Sequence, residues 1–584
     1  MRVTFLGHAG LYVETRHGSI LCDPWFNSAF FSSWFPFPSN EELDRSVFAT
    51  PDYLYISHVH EDHLDRDFLR KHVSRDATVI LPDHPLPLVR RELEALGFTS
   101  FVQTTDNVPL EVGGLRVMTV STSQPEDGPL GDSALAIDDG EIRIFDQNDA
   151  RPVDLDGTHA FGHFDAHFVQ FSGAIWYPMR YRFPPQMKAA LGRKKRDMQM
   201  ARSLRFSRQI GADWVVPMAG PPCFLDDEFF DFNDFGTDPA NVFPDQMVYL
   251  DYMREHEADN GRLMLPGWVA HVEPDRFEIE PKSDPETIFS DKRAYLEDYR
   301  ERMRPRIEAE KASWPRGEVE ILPALKEWFE PVLELADRTA AAINGRLLLD
   351  CGPEKVVVDF WQRRVYAADD EPCEYGFIIE QPLVEQLIKD HEENWVDRLF
   401  LSCRFEAERK GAYNEYVYSF LKCLSAERMA YAEGCYAEQV SEKEFFECAG
   451  YLVQRRCPHM KGDLTRFGQV EDGILTCTLH GWRFELATGR CLTSDDRRLF
   501  AEPLGAPADG GADLPATPAA EPEEVLRLRK PATGLPTPLA AATLVRDAAT
   551  AAGKATDVAS TNGSFNGHTN GHKPSRAKAS DRSH

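Results

Sequence analysis

Near the C-terminal end of this 584-residue chain, two cysteine–histidine pairs stand in a frame that few folds can satisfy. The segment reads CPHMKGDL, then a loop, then CTLHGWRFEL. Cys457 and His459 are thus followed, after seventeen residues (460–476), by Cys477 and His480. Two short hairpin-like loops, each carrying one thiol and one imidazole, can bring the four side chains together. A zinc knuckle uses the same residue types. Three details oppose it: Pro458 within the first pair, Gly481–Trp482 directly after His480, and the strand-like continuation RFELATGRCL. The pattern predicts a compact β-rich module with closely spaced turns over about 435–505.

These residues resemble the Rieske domain of the oxygenase and ferredoxin type, over roughly 450–495. The resemblance implies a [2Fe–2S] cluster held by Cys457, His459, Cys477 and His480. Two thiolates bind one iron of such a cluster and two imidazoles the other, which raises its potential above that of an all-thiolate cluster.

One core does not grow to this length, so several domains are expected. The composition, 42% hydrophobic with a net charge of −30, supports packed cores and disfavours a general nucleic-acid or anionic-membrane surface. There is no apolar run of membrane-spanning length. The start, MRVTFLGHAGLYVET, lacks the pattern of a secretion signal, so the cytoplasm is the expected location. The 11 cysteines then read as buried thiols and metal ligands rather than disulfides. Residues 1–280 alternate strand-like and helical runs, as a layered α/β domain does. Residues 281–430 form an α-rich, mixed accessory region, 435–505 the small all-β module, and 506–584 an Ala/Pro/Thr/Gly-rich tail expected to be disordered.

A second metal-ligating pattern lies in ISHVHEDHLD. The apolar run DYLYIS reads as a strand that delivers His58, His60, Asp62 and His63 at a strand-to-helix turn. His58 and His60 can project toward one metal, while Asp62 and His63 complete a neighbouring one. Together with GHAG at 7–10 and ILCDPW at 20–25, the pattern resembles the metallo-β-lactamase fold, an αββα sandwich. That family places a further histidine near VSTSQPEDGP, where this chain has Gln124, with Glu126 and Asp132 as substitutes. Its next ligand is an aspartate ending a strand, and EIRIFDQND offers Asp146 or Asp149, of which Asp149 is preferred. No histidine stands near VVPMAGPP, where a last ligand is expected. Carboxylates kept and neutral imidazoles lost tilt the site from zinc toward iron, mono- or dinuclear; a degenerate site is the alternative. His163 and His167 in GHFDAHF either replace a missing ligand or pack at a strand entry, the second being favoured. His8 either orients a ligand or caps its turn, and Asp23 is a supporting residue of the same kind.

Several stretches resemble the CMP-N-acetylneuraminate hydroxylase family across about 1–425: HVHEDHL, the FSG of QFSGAIWYP, LGRKKRDMQMARSLRF leading to DWVVPMAG, and VEQLIKDHEENWVDRLFLSCRFEAERKG. That family joins a metallo-β-lactamase-like domain to a Rieske domain and uses reducing equivalents to insert oxygen. Here the Rieske domain follows the other domain instead of leading it, so the resemblance supports a reaction type more than a substrate.

The expected function is an iron-dependent monooxygenase of a small anionic substrate. An external reductase or electron carrier reduces the cluster, which passes electrons to iron at His58, His60, Asp62, His63 and Asp149, with Glu126 as a substitute ligand. Asp62 is the conventional group to handle the proton of a metal-bound water. Arg193, Lys194, Lys195, Arg196, Arg202 and Arg205 form a basic stretch suited to an anionic substrate, unless it is a solvated helix face. The rivals are a two-zinc hydrolase with a redox-sensing Rieske domain and a non-catalytic electron carrier. Expected partners are the substrate, O2 and the reductase, without nucleic acid or membrane; a homo-oligomer is left open.

Overall fold

The strands of the first domain are β1 (Arg2–Gly7), β2 (Gly10–Thr15), β3 (Gly18–Cys22), β4 (Tyr53–Tyr55), β5 (Thr78–Leu81), β6 (Phe101–Gln103), β7 (Leu110–Val112), β8 (Leu115–Thr122), β9 (Asp132–Asp138), β10 (Arg143–Asn148), β11 (Ala166–Gln170), β12 (Trp214–Met218), β13 (Val269–Glu273) and β14 (Arg276–Glu280). This computed structural model describes residues 1–504 apart from 126–129, 174, 439–443 and 495–496. The tail at 506–584 and Glu126 therefore lie outside the described residues. The strands form two sheets, in the orders β14-β13-β1-β2-β3-β4-β5-β6 and β12-β11-β10-β9-β8-β7. They face each other across a core that includes Val3, Phe5 and Val13 from one sheet and Leu135, Ile137 and Val216 from the other. Strand β1 is an apolar run, not an alternation, because it is buried at all but its first position.

Helices Arg66–His72 and Leu88–Ala95 cover the outer face of the first sheet, with Phe68, Leu69 and Leu93 against Leu54 and Val79. Asp65 caps the first of them by accepting from the Phe68 N–H at 2.9 Å, which starts the helix just after the HEDH run. On the outer face of the second sheet, helix Pro185–Ile210 lays Met200 and Leu204 on Val169 and Val215. The layers are those of the αββα sandwich.

The middle domain holds β15 (Arg346–Asp350), β16 (Lys355–Asp359), β17 (Arg364–Ala367), β18 (Tyr375–Ile379) and β19 (Phe405–Arg409), in the order β17-β16-β15-β18-β19. Helices Ile321–Leu335, Asp337–Ile343, Gln381–Lys389, Tyr416–Lys422 and Ala426–Glu438 accompany this sheet. Phe329, Leu347, Val358, Phe377, Trp395 and Phe420 meet in their shared core. The boundary read at residue 280 differs from the packing. Helix Lys292–Ser313 inserts Leu296, Tyr299 and Ile307 among Phe35, Phe37, Leu225 and Trp268, so it belongs to the core of the first domain.

The last module has β20 (Phe445–Cys448), β21 (Tyr451–Gln454), β22 (Gly468–Glu471), β23 (Ile474–Cys477), β24 (Trp482–Glu485) and β25 (Ala501–Pro503), arranged as the two sheets β20-β21-β25 and β22-β23-β24. It sits directly on the second sheet of the first domain. Val453, Leu464, Phe467, Leu475 and Phe484 share one apolar cluster with Met118, Val120, Phe145, Ala150 and Phe206. Burial of side chains of this size contributes about 1.5–3 kcal/mol each, so the two domains are docked and not merely tethered. Among the described residues, no helix is long and apolar enough to cross a membrane.

Candidate metal centres

The first centre lies where strands end. Strand β1 runs into His8, β3 into Asp23, and β10 closes on Asn148, directly before Asp149. His8, Asp23 and Asn148 all adopt positive φ, at 52°, 39° and 38°. Non-glycine residues avoid that region unless the surrounding structure over-determines them, and such strain gathers at functional sites.

Below the site, Asp23 is fully buried and accepts from the Ser57 N–H (2.8 Å), the Ser57 hydroxyl (2.6 Å) and His63 Nδ1 (2.9 Å). That last bond turns His63 Nε2 outward, to 3.7 Å from both Asp62 Oδ2 and Asp149 Oδ2. His8 Nε2 holds the same Asp62 oxygen at 2.8 Å. His58 Nδ1 lies 3.2 Å from Asp132 Oδ1, while its Nε2 lies 2.7 Å from His60 Nδ1. The structure thus gathers His8, Asp62 and His63 in one group and His58, His63 and Asp149 in another. His58 Nε2 and His60 Nδ1 face each other, while His60 turns its other nitrogen to Asp397 of the middle domain, 3.3 Å away.

Asp62 Oδ1, His63 Nε2 and Asp149 Oδ1 are buried without hydrogen-bond partners. Orphaned polar atoms of this kind are costly unless an ion satisfies them, so the residues fit a metal. Burial alone would raise the Asp62 carboxyl, but the charges of His63 and His8 hold it well below the usual range. Burial likewise opposes protonation of His63, and Asp62, Asp149 and Asp23 more than offset it. Both carboxylates of the site are therefore in the ionised form that binds cations.

Other residues read in the sequence lie elsewhere. Asp146 is buried beside Cys22, where burial and the charge of Asp23 raise its carboxyl well above the usual range. His163 is exposed and pairs with Asp213 at 3.0 Å. His167 is buried and meets Gln147 Oε1 at 2.9 Å. In the basic helix, Arg196 pairs with Asp234 (2.7 Å), buried Arg202 donates to the Leu479 carbonyl (2.9 Å), and Arg205 donates to the Arg466 carbonyl (3.3 Å), whereas Arg193 and Lys194 are exposed. Arg202 and Arg205 thus bear on the docked last domain. Asp397 escaped the sequence reading, because only the fold brings HEENWVDRLF against His60.

Beside His60, between the first and middle domains, is a cavity of about 550 Å³. Arg66, Arg91, Arg398 and Arg428 line it together with carboxylates that include Glu61, Glu392 and Asp397. Arg398 pairs with Asp390 (2.8 Å), Glu392 (3.3 Å) and Glu61 (3.6 Å), and Arg428 Nε with Glu393 (3.0 Å), while Arg428 Nη1 is buried without a hydrogen-bond partner.

In the second centre, Cys457 follows β21 and Cys477 ends β23, both buried. Each loop closes on itself: the Lys461 N–H donates to the Cys457 carbonyl (3.0 Å) and the Gly481 N–H to the Cys477 carbonyl (2.8 Å). Gly481 needs its hydrogen side chain twice over. Its φ is +74°, and a Cβ there would lie 2.6 Å from Met198 Sδ on the docking helix. Backbone N–H groups of His459 and Met460 point at the Cys457 sulfur, and those of Leu479 and His480 at the Cys477 sulfur. Neighbouring Cys457 makes Cys477 the more acidic thiol of the pair. The rings of His459 and His480 lie 5.0 Å apart, and Trp482 stacks on His459 at 4.3 Å. The N–H groups aimed at the two sulfurs fit the thiolate side of a two-iron cluster.

Profile comparisons match residues 2–165 to a "Beta-lactamase superfamily domain", 321–438 to an "Rv3818-like, SCP2-like domain" and 442–500 to a "Rieske [2Fe-2S] domain". The chain is therefore a metallo-β-lactamase-fold protein with a C-terminal Rieske domain. A protein of Mycolicibacterium smegmatis named "Putative Rieske 2Fe-2S iron-sulfur protein" is 49% identical over 518 residues, 86% of this chain and 100% of its own length. The similarly named Rv3818 of Mycobacterium tuberculosis is 49% identical over 511 residues, 85% of this chain and 99% of that protein. The chain belongs to this family of Rieske 2Fe-2S iron-sulfur proteins. Solved structures similar to it include Igni18, "a novel metallo hydrolase" of Ignicoccus hospitalis (15% identity, 48% of this chain and 99% of that one, TM-score 0.32). CmlA, "a diiron beta-hydroxylase" of Streptomyces venezuelae, is 18% identical over 45% of this chain and 53% of its own, with a TM-score of 0.30. Scores this low carry no argument about activity.

Proposed function

We propose that the chain is an iron-dependent monooxygenase whose Rieske cluster feeds electrons to a metal in the metallo-β-lactamase-fold domain. The observation that carries this reading is one loop. Asp149 reaches His63 and His58, and the next residue, Ala150, is buried in the apolar cluster that contains Cys457, Cys477 and Leu479. A few residues further, the Val153 carbonyl accepts from the Asp463 N–H (3.3 Å) and Asp154 pairs with Arg456 (3.2 Å). A redox centre is thereby packed onto the loop that supplies a ligand of the other centre.

On this reading Cys457, His459, Cys477 and His480 hold the cluster. His58, His60, Asp62, His63 and Asp149 serve the iron, with His8 and Asp23 orienting Asp62 and His63. The bound iron supplies O2 activation: one oxygen atom enters a C–H or N–H bond, and the other leaves as water with two protons and two electrons from an external carrier. The cavity beside His60 takes a small substrate, and Arg428 Nη1, buried without a hydrogen-bond partner, is the donor it offers to an anionic group. Asp62, ionised and tied to His8 through one oxygen, keeps Oδ1 free to bind metal or accept a proton. The test is metal and labile sulfide per chain on anaerobically purified protein. Iron beyond the roughly two atoms of the cluster, lost selectively in His58→Ala, is expected. Two irons with stoichiometric zinc would instead indicate a hydrolase, and absence of labile sulfide would overturn the cluster.

A further inference from the structure

The middle domain reaches the cluster through a carboxylate. Glu415 stands at the start of helix Tyr416–Lys422 and is almost completely buried, at 2% exposure. Its Oε2 lies 2.9 Å from His459 Nε2, and its Oε1 accepts from the Arg497 guanidinium. The outer nitrogen of His459 is thus engaged, which leaves Nδ1 to face the cluster. Glu415 is thus held between the Arg497 guanidinium on one oxygen and His459 on the other, a setting that suits a carboxylate. The same helix packs against the turn Val396–Phe400, which carries Asp397, the partner of His60. Seven helical residues, about 10 Å of rise, therefore separate the group that touches the cluster histidine from the surroundings of the other centre.

We infer that Glu415 is a positioning residue for the Rieske cluster, supplied by the middle domain: it holds His459 by its outer nitrogen and orients the histidine edge of the cluster toward the helix that leads to His60. This rests on the cluster ligands proposed above and not on the oxygenase chemistry. A carboxylate beside a ligand imidazole disfavours the extra negative charge of the reduced cluster. Loss of that charge should make reduction easier.

The test uses full-length holoprotein at one fixed pH, comparing wild type with Glu415→Gln, Glu415→Asp and, as an interface control, Ser494→Ala. Ser494 donates to the Tyr413 carbonyl (3.1 Å) across the same interface without touching a cluster histidine. Labile sulfide, the EPR spectrum of the reduced cluster and its midpoint potential are the readouts. Glu415→Gln should keep its sulfide and favour reduction about tenfold, near 59 mV for one electron, with altered EPR g-values. Glu415→Asp should return the potential toward wild type, and Ser494→Ala should leave it in place. An unchanged potential in Glu415→Gln, or an equal shift in Ser494→Ala, overturns the inference while leaving the cluster standing. Wild-type protein without a Rieske signal overturns both.

Discussion

Replacement of His167 by glutamine separates a packing histidine from a metal ligand. His167 lies on β11 opposite Phe145 and Val215, with 0% exposure, and its ring stacks on Phe145 at 5.5 Å. Burial alone pushes its imidazole down from 6.5 to about 3. In the unfolded chain the ring takes a proton below about pH 6.5; in the folded chain it does so only below about pH 3. Between these values the unfolded state holds the extra proton, so acid favours unfolding, and the stability present above pH 6.5 is lost progressively as pH falls. At pH 5 the ring is about 1.5 pH units below its unfolded value, at about 1.4 kcal/mol per unit, so the loss relative to pH 7 is about 2 kcal/mol. Glutamine cannot take that proton, yet its amide can still donate to Gln147. Urea unfolding of the first domain, read by pulse proteolysis at pH 7 and pH 5, should therefore show wild type losing about 2 kcal/mol more than His167→Gln. Metal content should be the same in both. Equal losses would refute the burial argument, and loss of iron in the variant would make His167 a ligand.

Three further outcomes follow from the same contacts. Arg202→Leu removes a buried charged donor from the Leu479 carbonyl and should weaken docking of the Rieske domain by about 1.5–3 kcal/mol, seen as faster hydrogen exchange over 477–482. Gly192→Ala puts a methyl group against the Ala240 carbonyl, so it should cost about 1–3 kcal/mol in thermal unfolding although alanine is the better helix former. Asp23→Asn removes the charge and one of the two accepting oxygens that serve Ser57 and His63 Nδ1, and should lower metal affinity of the first centre 10–100-fold by competitive chelation, with labile sulfide unchanged.

What the sequence made legible was local. Cys457, His459, Cys477 and His480 lie on two turns that each close within five residues or fewer, so spacing alone defines the set. His58 to His63 sit on one strand-to-helix turn for the same reason. The contributions that stayed hidden come from far along the chain. Asp397 and Glu415 belong to amphipathic, helix-rich segments in which a buried carboxylate reads like a solvated one; only packing against His60 and His459 separates the two cases. The basic helix shows the converse. Its charge was plain, but whether Arg202 faces a substrate or a carbonyl of another domain depends on a surface more than two hundred residues away. Helix Lys292–Ser313 likewise displays an apolar stripe without saying which core receives it.

These long-range contacts also set how two supplies can reach one centre. On the proposed reading, the cavity meets the site through His60 and Asp397, whereas the Rieske domain meets it through Asp149 and Ala150. Substrate and electrons then use different ligands of the same metal, so a filled cavity does not displace the redox partner. The middle domain touches both routes, at Asp397 and at Glu415, and helix Tyr416–Lys422 packs against the turn that carries Asp397. A redox sensor attached to a hydrolase would need only one such contact. A carrier without catalysis would need neither the cavity nor the strained residues at His8, Asp23 and Asn148. On the proposed reading, reduction of the cluster and binding in the cavity serve one reaction at the site between them.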